Sequence, residues 1–212
     1  PDWSRGLGDV YKRQNFNNIS NINVFFKSKF LKQIYNKYFS YLMVLKKFKY
    51  KKVSSTNDIA MQKIRQGYKS GVIISDKQTR GRGQHGKKWV SNKGNLFFSI
   101  FFIINKKIQT SRLVISNLRI IKKILSNYIK SKIKIKRPND ITVNKKKICG
   151  ILNETLFYND LKFLVIGIGI NIVSSPNIRD YPTTNLNEVT NRRVSKTKLL
   201  NKIIKAFDIK IK

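Results

Sequence analysis

Four short stretches of the chain carry residue types whose chemistry goes beyond packing. Ser55-Thr56-Asn57 sets two hydroxyls and an amide in a row; such a run caps a helix as readily as it grips a neutral polar ligand. The second stretch is Gln78-Thr79-Arg80-Gly81-Arg82-Gly83-Gln84-His85-Gly86-Lys87-Lys88-Trp89. Its glycines allow close backbone approach to an anion, and Arg82, Lys87 and Lys88 supply cationic donors. That describes a phosphate or carboxylate cradle, and equally a solvated Gly/Arg loop. The third is Lys136-Arg137-Pro138-Asn139-Asp140, followed by Lys147-Ile148-Cys149-Gly150-Ile151-Leu152 and Glu154. Asn139 and Asp140 can offer oxygen ligands to a Mg²⁺ held mainly by substrate phosphates, or simply form a turn. The fourth, Gly167-Ile168-Gly169-Ile170-Asn171, has glycines inside an apolar strand, which mark the close approach of a ligand or another backbone, or a bulge. His85 reads as a solvated loop residue rather than a general base. Cys149 reads as a small buried hydrophobe.

Alternating strand and helix signals position these stretches. Val44–Val53 alternates apolar residues with Lys, and Ser54 to Asn57 then supply capping residues for a helix over Asp58–Gln66 that Gly67 ends. Gly71–Ser75 and Asn95–Ile104 read as buried strands separated by a long polar loop, Asp76–Gly94. Thr110–Lys130 is the strongest helix, with Leu113, Val114, Asn117, Ile120, Ile121, Ile124, Leu125 and Tyr128 along one face. Ile133–Arg137, Ile141–Val143, Lys147–Phe157 and Lys162–Ile172 read as strands joined by short turns, and Val194–Phe207 as a last helix. The pattern predicts an α+β fold with a mixed, mainly antiparallel sheet packed with helices.

The chain has 212 residues, 45 Lys+Arg against 10 Asp+Glu, and a net charge of +35. Such charge ordinarily marks nucleic-acid binding. However, 34 Lys, 30 Ile and 22 Asn against 11 Arg is the product expected of an A/T-rich genome, and phosphate readers favour Arg. Nucleic acid is therefore not expected as a specific partner, and a nucleic-acid-binding regulator is the weaker reading. One cysteine excludes an internal disulfide and a cysteine-rich zinc site, and points to a reducing cytoplasm. The apolar runs Leu96–Ile104 and Phe163–Ile172 are about half a membrane span, so no membrane partner is expected. The opening PDWSRGLGDVYKRQ contains neither Ile nor Asn, and Met43 leads straight into the first patterned segment. The expected organisation is a non-native or disordered extension over 1–42 and one folded domain over 43–212.

The four stretches, in this order and spacing, resemble the catalytic domain of biotin protein ligases, also called biotin–[acetyl-CoA-carboxylase] ligases. The family pattern runs Ser-Thr-Asn, Gln-Thr-x-Gly-Arg-Gly with a following Gly and Trp, Lys-Trp-Pro-Asn-Asp, Lys-x-x-Gly-Ile-Leu-x-Glu, then Gly-Ile-Gly-Ile-Asn, and the likeness spans Ser55 to Asn171. It implies a sheet related to class II aminoacyl-tRNA synthetases and an enzyme that converts biotin and ATP, with Mg²⁺, to biotinyl-5′-AMP. Biotin then passes to a lysine of a biotin carboxyl carrier domain. The resemblance assigns biotin contacts to Ser55, Thr56, Asn57, Gln78, Gly81, Arg82 and Gly150. It assigns ATP and adenylate contacts to Gly83, Gln84, Lys87, Trp89, Asn139, Asp140, Lys147 and Asn171. Lys147 and Arg82 are the implied catalytic residues, and Asp140 the implied magnesium ligand. Three departures stand out: Arg137 replaces the family's Trp, Gln84 stands where many members carry Arg, and no small SH3-like domain is evident after the last helix, as expected of either a minimal member or a truncated sequence. Lipoate or octanoate ligases and transferases of the same fold are the alternative enzyme reading. Homodimerisation through a sheet edge is left open.

Overall fold

The chain divides into two units, Pro1–Tyr41 and Leu42–Lys212, and the computed structural model describes residues 45–211. The extension expected over 1–42, and Met43 with it, lies outside the described residues. The elements run β1 (Lys47–Tyr50), α1 (Thr56–Arg65), β2 (Ser70–Ser75), β3 (Leu96–Ile104), α2 (Thr110–Ser126), β4 (Ile133–Lys136), β5 (Asp140–Val143), β6 (Lys146–Tyr158), β7 (Leu161–Ile170), α3 (Leu186–Thr190) and α4 (Lys196–Ile211).

The strands form one seven-stranded sheet in the order β1-β2-β3-β7-β6-β5-β4. Only β1 and β2 pair in parallel, through the α1 crossover, and the remaining pairs are antiparallel. The β5–β6 and β6–β7 turns are two-residue hairpins in which Asn144 and Lys145 (φ 48° and 66°) and Asn159 and Asp160 (φ 46° and 57°) take left-handed conformations. Asn and Asp tolerate that geometry, and its twist matches the flanking strands.

Two clusters hold the layers. Phe98, Ile100 and Phe102 of β3 and Ile166, Ile168 and Ile170 of β7 pack under Leu118, Ile121 and Leu125 of α2 and Leu199, Ile203 and Phe207 of α4. On the opposite face Ile73, Phe101, Phe163 and Val165 meet Ala60 and Ile64 of α1. β3 is thus covered on both faces, which explains its nearly unbroken apolar run.

The differences from the expected elements are local. β1 is shorter than 44–53, because beyond Tyr50 only Val53 pairs, with Gln78. α2 stops at Ser126, whose hydroxyl donates back to the Lys122 carbonyl. The unexpected helix α3 is started by Asn185, which accepts from the Glu188 N–H at 3.0 Å. Among the described residues no helix is long and apolar enough to cross a membrane.

Candidate active site

The α1 side of the sheet contains a patch without side chains, and the site is built on it. Gly167 and Gly169 are successive same-face residues of β7, and Gly150 of β6 pairs with Gly169. A Cβ on Gly169 would fall inside the Trp89 indole, and one on Gly150 would lie 2.7 Å from Trp89 Cζ3 and 3.3 Å from Lys147 Cε. A Cβ on Gly167 would lie 2.5 Å from Asn57 Oδ1. The close approach signalled by strand glycines is therefore made by the protein's own indole and amide. Above this floor opens a cavity of about 280 Å³.

At the Gly167 end the lining is neutral and polar. Gln78 Oε1 accepts from the Thr56 N–H (2.8 Å) and hydroxyl (3.1 Å), and its Nε2 donates to Ser91 Oγ at 3.2 Å. The first amide of α1 is thus satisfied by Gln78, while Ser55, the N-cap residue, makes no side-chain cap. This corrects the capping role expected for Ser54 to Asn57 and leaves the buried Ser55 on the cavity wall. Ser99 is opposite Gly167 in the β3–β7 register and sits 2.7 Å from Thr56 Oγ1 and 2.5 Å from Asn57 Oδ1. Asn57 Nδ2 donates to Glu154 Oε2 at 2.6 Å.

Glu154 also receives Arg82 (Nη2 to Oε2, 2.8 Å), and Arg82 makes a second ion pair with Asp58. Desolvation works against the guanidinium charge, but hydrogen bonds and charges from Glu154 and Asp58 outweigh it and raise its pKa further. Arg82 lines the cavity with its charge already engaged by these two carboxylates. It also anchors the glycine-rich loop, which folds as a narrow hairpin: Arg82 bridges Lys88, the Gly83 N–H donates to the Lys87 carbonyl at 2.6 Å, and the Trp89 N–H to Gly81 at 2.9 Å.

At the Gly150 end the lining is cationic. Lys147 Nζ is 2.8 Å from Asp140 Oδ1, with side chains 15% and 20% exposed, and it faces the rings of Trp89 (5.3 Å) and Tyr181 (5.0 Å). Lys87, Lys88, Lys136, Arg137 and Lys145 reach the same cavity, whereas Lys146 turns away toward Glu188 at 3.9 Å. Asn139 is locked by its Nδ2, which donates to the Ile151 carbonyl at 2.9 Å. Cys149 is fully buried on the opposite face; burial and the Asp140 charge push its thiol pKa far up, against a smaller opposing effect of Lys147.

Of the residues singled out from sequence, Ser55, Thr56, Asn57, Gln78, Arg82, Gly83, Gln84, Lys87, Trp89, Asn139, Asp140, Lys147 and Gly150 all line this cavity. Two do not. Gly81 is packed inside the loop, where a Cβ would lie 2.7 Å from the Trp89 carbonyl oxygen. Asn171 is buried behind Trp89 and donates to the Thr184 carbonyl at 3.1 Å, holding the segment that carries Tyr181. Ser99, Asp58 and Tyr181 were not singled out. Ser99 could have been found as the one polar residue in an apolar strand, and Asp58 as one of few acids; Tyr181 lies in a segment without periodicity.

The model for the biotin/lipoate A/B protein ligase family matches residues 50–171. The bifunctional ligase/repressor BirA of Bacillus subtilis is 30% identical over 146 residues, covering 65% of this chain and 44% of that protein. The chain spans about half the length, or less, of the curated relatives it matches. Among solved structures, biotin protein ligase from Leishmania major in complex with biotinyl-5-AMP superposes with a TM-score of 0.65 at 26% identity, over 77% of this chain and 73% of that one. The Aquifex aeolicus ligase in complex with biotin and ATP gives 0.64 at 28%, over 78% and 70%.

Proposed function

Because this chain belongs to the biotin/lipoate A/B protein ligase family, we propose that it activates biotin with ATP and transfers it to a lysine of a biotin carboxyl carrier domain. The observation that carries the choice of acid is the polarity of the cavity. Neutral amides and hydroxyls lie at the Gly167 end and an ammonium at the Gly150 end, which suits a neutral cyclic urea joined to a carboxylate tail. The solved relatives holding biotin and biotinyl-5-AMP support the same assignment.

In the first step a biotin carboxylate oxygen attacks the α-phosphorus of ATP, forming the acyl phosphate bond as pyrophosphate leaves. In the second the carrier amine attacks the acyl carbonyl, loses a proton and expels AMP. The protein supplies no nucleophile, and its contribution is position and charge. Lys147 sits where it can stabilise the reacting carboxylate and α-phosphate oxygens in both steps. Thr56, Asn57 and Gln78 orient the uncharged end, with Thr56 and Asn57 held from behind by Ser99. The hairpin from Gly81 to Trp89, anchored through Arg82, shields the acyl adenylate from water, with Gln84 and Lys87 on its inner side.

Asp140 and Asn139 line the cavity side by side, with Asp140 Oδ1 paired to Lys147 Nζ at 2.8 Å, and the carboxylate would offer oxygen to a Mg²⁺ bound chiefly by phosphates. No group of three or more His, Cys, Asp or Glu placed to hold a metal occurs among the described residues, consistent with an ion that arrives with the nucleotide. Bound there, it would draw charge from the phosphate oxygens. The compartment proposed for this ATP-fed reaction is the cytoplasm. The test is incubation with ATP, Mg²⁺, biotin and a carrier domain, in parallel with lipoate or octanoate and a lipoyl domain. Labelling with biotin alone is expected; labelling only by lipoate or octanoate would overturn the assignment.

A further inference from the structure

Lys147 is held in place by groups that lie outside the sequence motif containing it. Its N–H donates to the Pro182 carbonyl at 2.8 Å and its carbonyl accepts from the Thr184 N–H at 2.9 Å, so residues 182–184 run beside the start of β6 as a short parallel addition. Tyr181, at the head of this strap, is thereby set against the lysine, with its ring centroid 5.0 Å from Nζ. The Trp89 ring centroid stands 5.3 Å from the same nitrogen, and among the described residues Asp140 is its one carboxylate partner.

This arrangement suits a flexible lysine that must act at one point. The four-carbon stem has many rotamers, and ordering it costs entropy. A second carboxylate would fix the ammonium and also cancel its charge. Two aromatic faces attract the cation without occupying its N–H donors, which stay free for substrate oxygens. We infer that Tyr181 is a positioning residue for Lys147, acting through its ring and not its hydroxyl. The inference rests on the role of Lys147 proposed above.

The test uses the full chain with Tyr181→Phe and Tyr181→Leu, each alone and combined with Lys147→Ala. Adenylation is followed by pyrophosphate release, and the Lys147 Cε protons by NMR, assigned through their absence in Lys147→Ala. Tyr181→Phe is expected to keep the rate within about twofold and to keep the Cε protons shifted upfield by the ring. Tyr181→Leu is expected to lower kcat about tenfold, equivalent to about 1.4 kcal/mol, to leave the biotin KM nearly unchanged, and to move the Cε protons downfield. In the Lys147→Ala background Tyr181→Leu should cost nothing more, because one interaction cannot be removed twice. An equal loss in both backgrounds, a Phe variant as poor as Leu, or unmoved Cε protons would overturn the proposal. Near-normal adenylation by Lys147→Ala would instead bring down the reading of Lys147 itself, and the proposal with it; the two failures are distinct because the first leaves Lys147→Ala defective.

Discussion

Replacing Gly169 by alanine adds one methyl group at the most crowded point of the site. The backbone there is not left-handed, so alanine fits its dihedral angles, and at a site with space a Gly→Ala change would stabilise by about 0.4–1 kcal/mol through the unfolded state. Here the new Cβ would fall inside the Trp89 indole, 2.8 Å from Nε1 even at the ring's edge. β7 is hydrogen-bonded to β3 on one side and β6 on the other, so the strand stays and the indole must leave. Overpacking of this kind costs about 1–3 kcal/mol. Peeling the loop away relieves it, so global stability should fall by no more than about 2 kcal/mol. The cost reappears on binding, where the indole must be seated again: the biotin Kd should rise about 5- to 150-fold. Calorimetric titration with biotin, alongside thermal unfolding, measures both quantities. Trp89→Phe in the Gly169→Ala background should recover part of the affinity, since the smaller ring leaves room for the methyl. Unchanged biotin affinity in Gly169→Ala would refute the claim that the seated indole is part of the binding site.

Lys147→Ala should slow both adenylation and carrier labelling about a hundredfold or more, a loss typical of one electrostatic contact to the reacting atoms, whereas Lys145→Ala and Lys146→Ala should change either rate only slightly; single-turnover assays of each half-reaction separate them. Cys149→Ala should retain full activity, and the native thiol should resist alkylation at pH 8: burial raises its pKa, so the thiolate is scarce in the folded state and abundant only after unfolding. Loss of labelling in that variant would signal an acyl-thioester route. A chain beginning at Met43 should fold and ligate biotin as the full chain does, checked by circular dichroism and labelling rate. Raising ionic strength should slow transfer to an acidic carrier more than adenylation, because residues 43–212 hold 38 basic and 8 acidic groups and steering between macromolecules is screened by salt.

The strands and helices were legible wherever one residue period dominated. The run from Leu96 to Ile104 and the stripe on α2 appear in the structure within a few residues of their expected limits. The site was legible as a set of stretches because each is contiguous in sequence. Its wiring was not, since it depends on register. Nothing in spacing brings Ser99 to Asn57, or commits Arg82 to Asp58 and Glu154; the first two contacts follow from α1 packing over β3, and the Glu154 contact from β3, β7 and β6 lying side by side. Tyr181 was illegible for the same reason, because a strap held by backbone bonds to β6 leaves no side-chain pattern. The short helix α3 did carry a signal, Asn185 three residues before Glu188, which is a capping pattern.

The β3–β7 pairing joins the two halves of the cavity, and it has a kinetic consequence. Asn57 meets Glu154 across 97 residues and Arg82 meets it across 72, so the stretch from Ser55 to Ser99, which holds the Thr56, Gln78 and Ser99 contacts, is not closed into the full site until β6 and β7 are in place. Contacts at such separation pay their loop-closure entropy before they are rewarded, and they form late. During synthesis the glycine-rich loop emerges well before the strand that supplies its floor, and Trp89 has no seat until β6 and β7 have closed against β3. On the proposed function, a nascent chain would be unable to hold an acyl adenylate, because the Lys147 end of the cavity and the floor that seats Trp89 both come from β6 and β7.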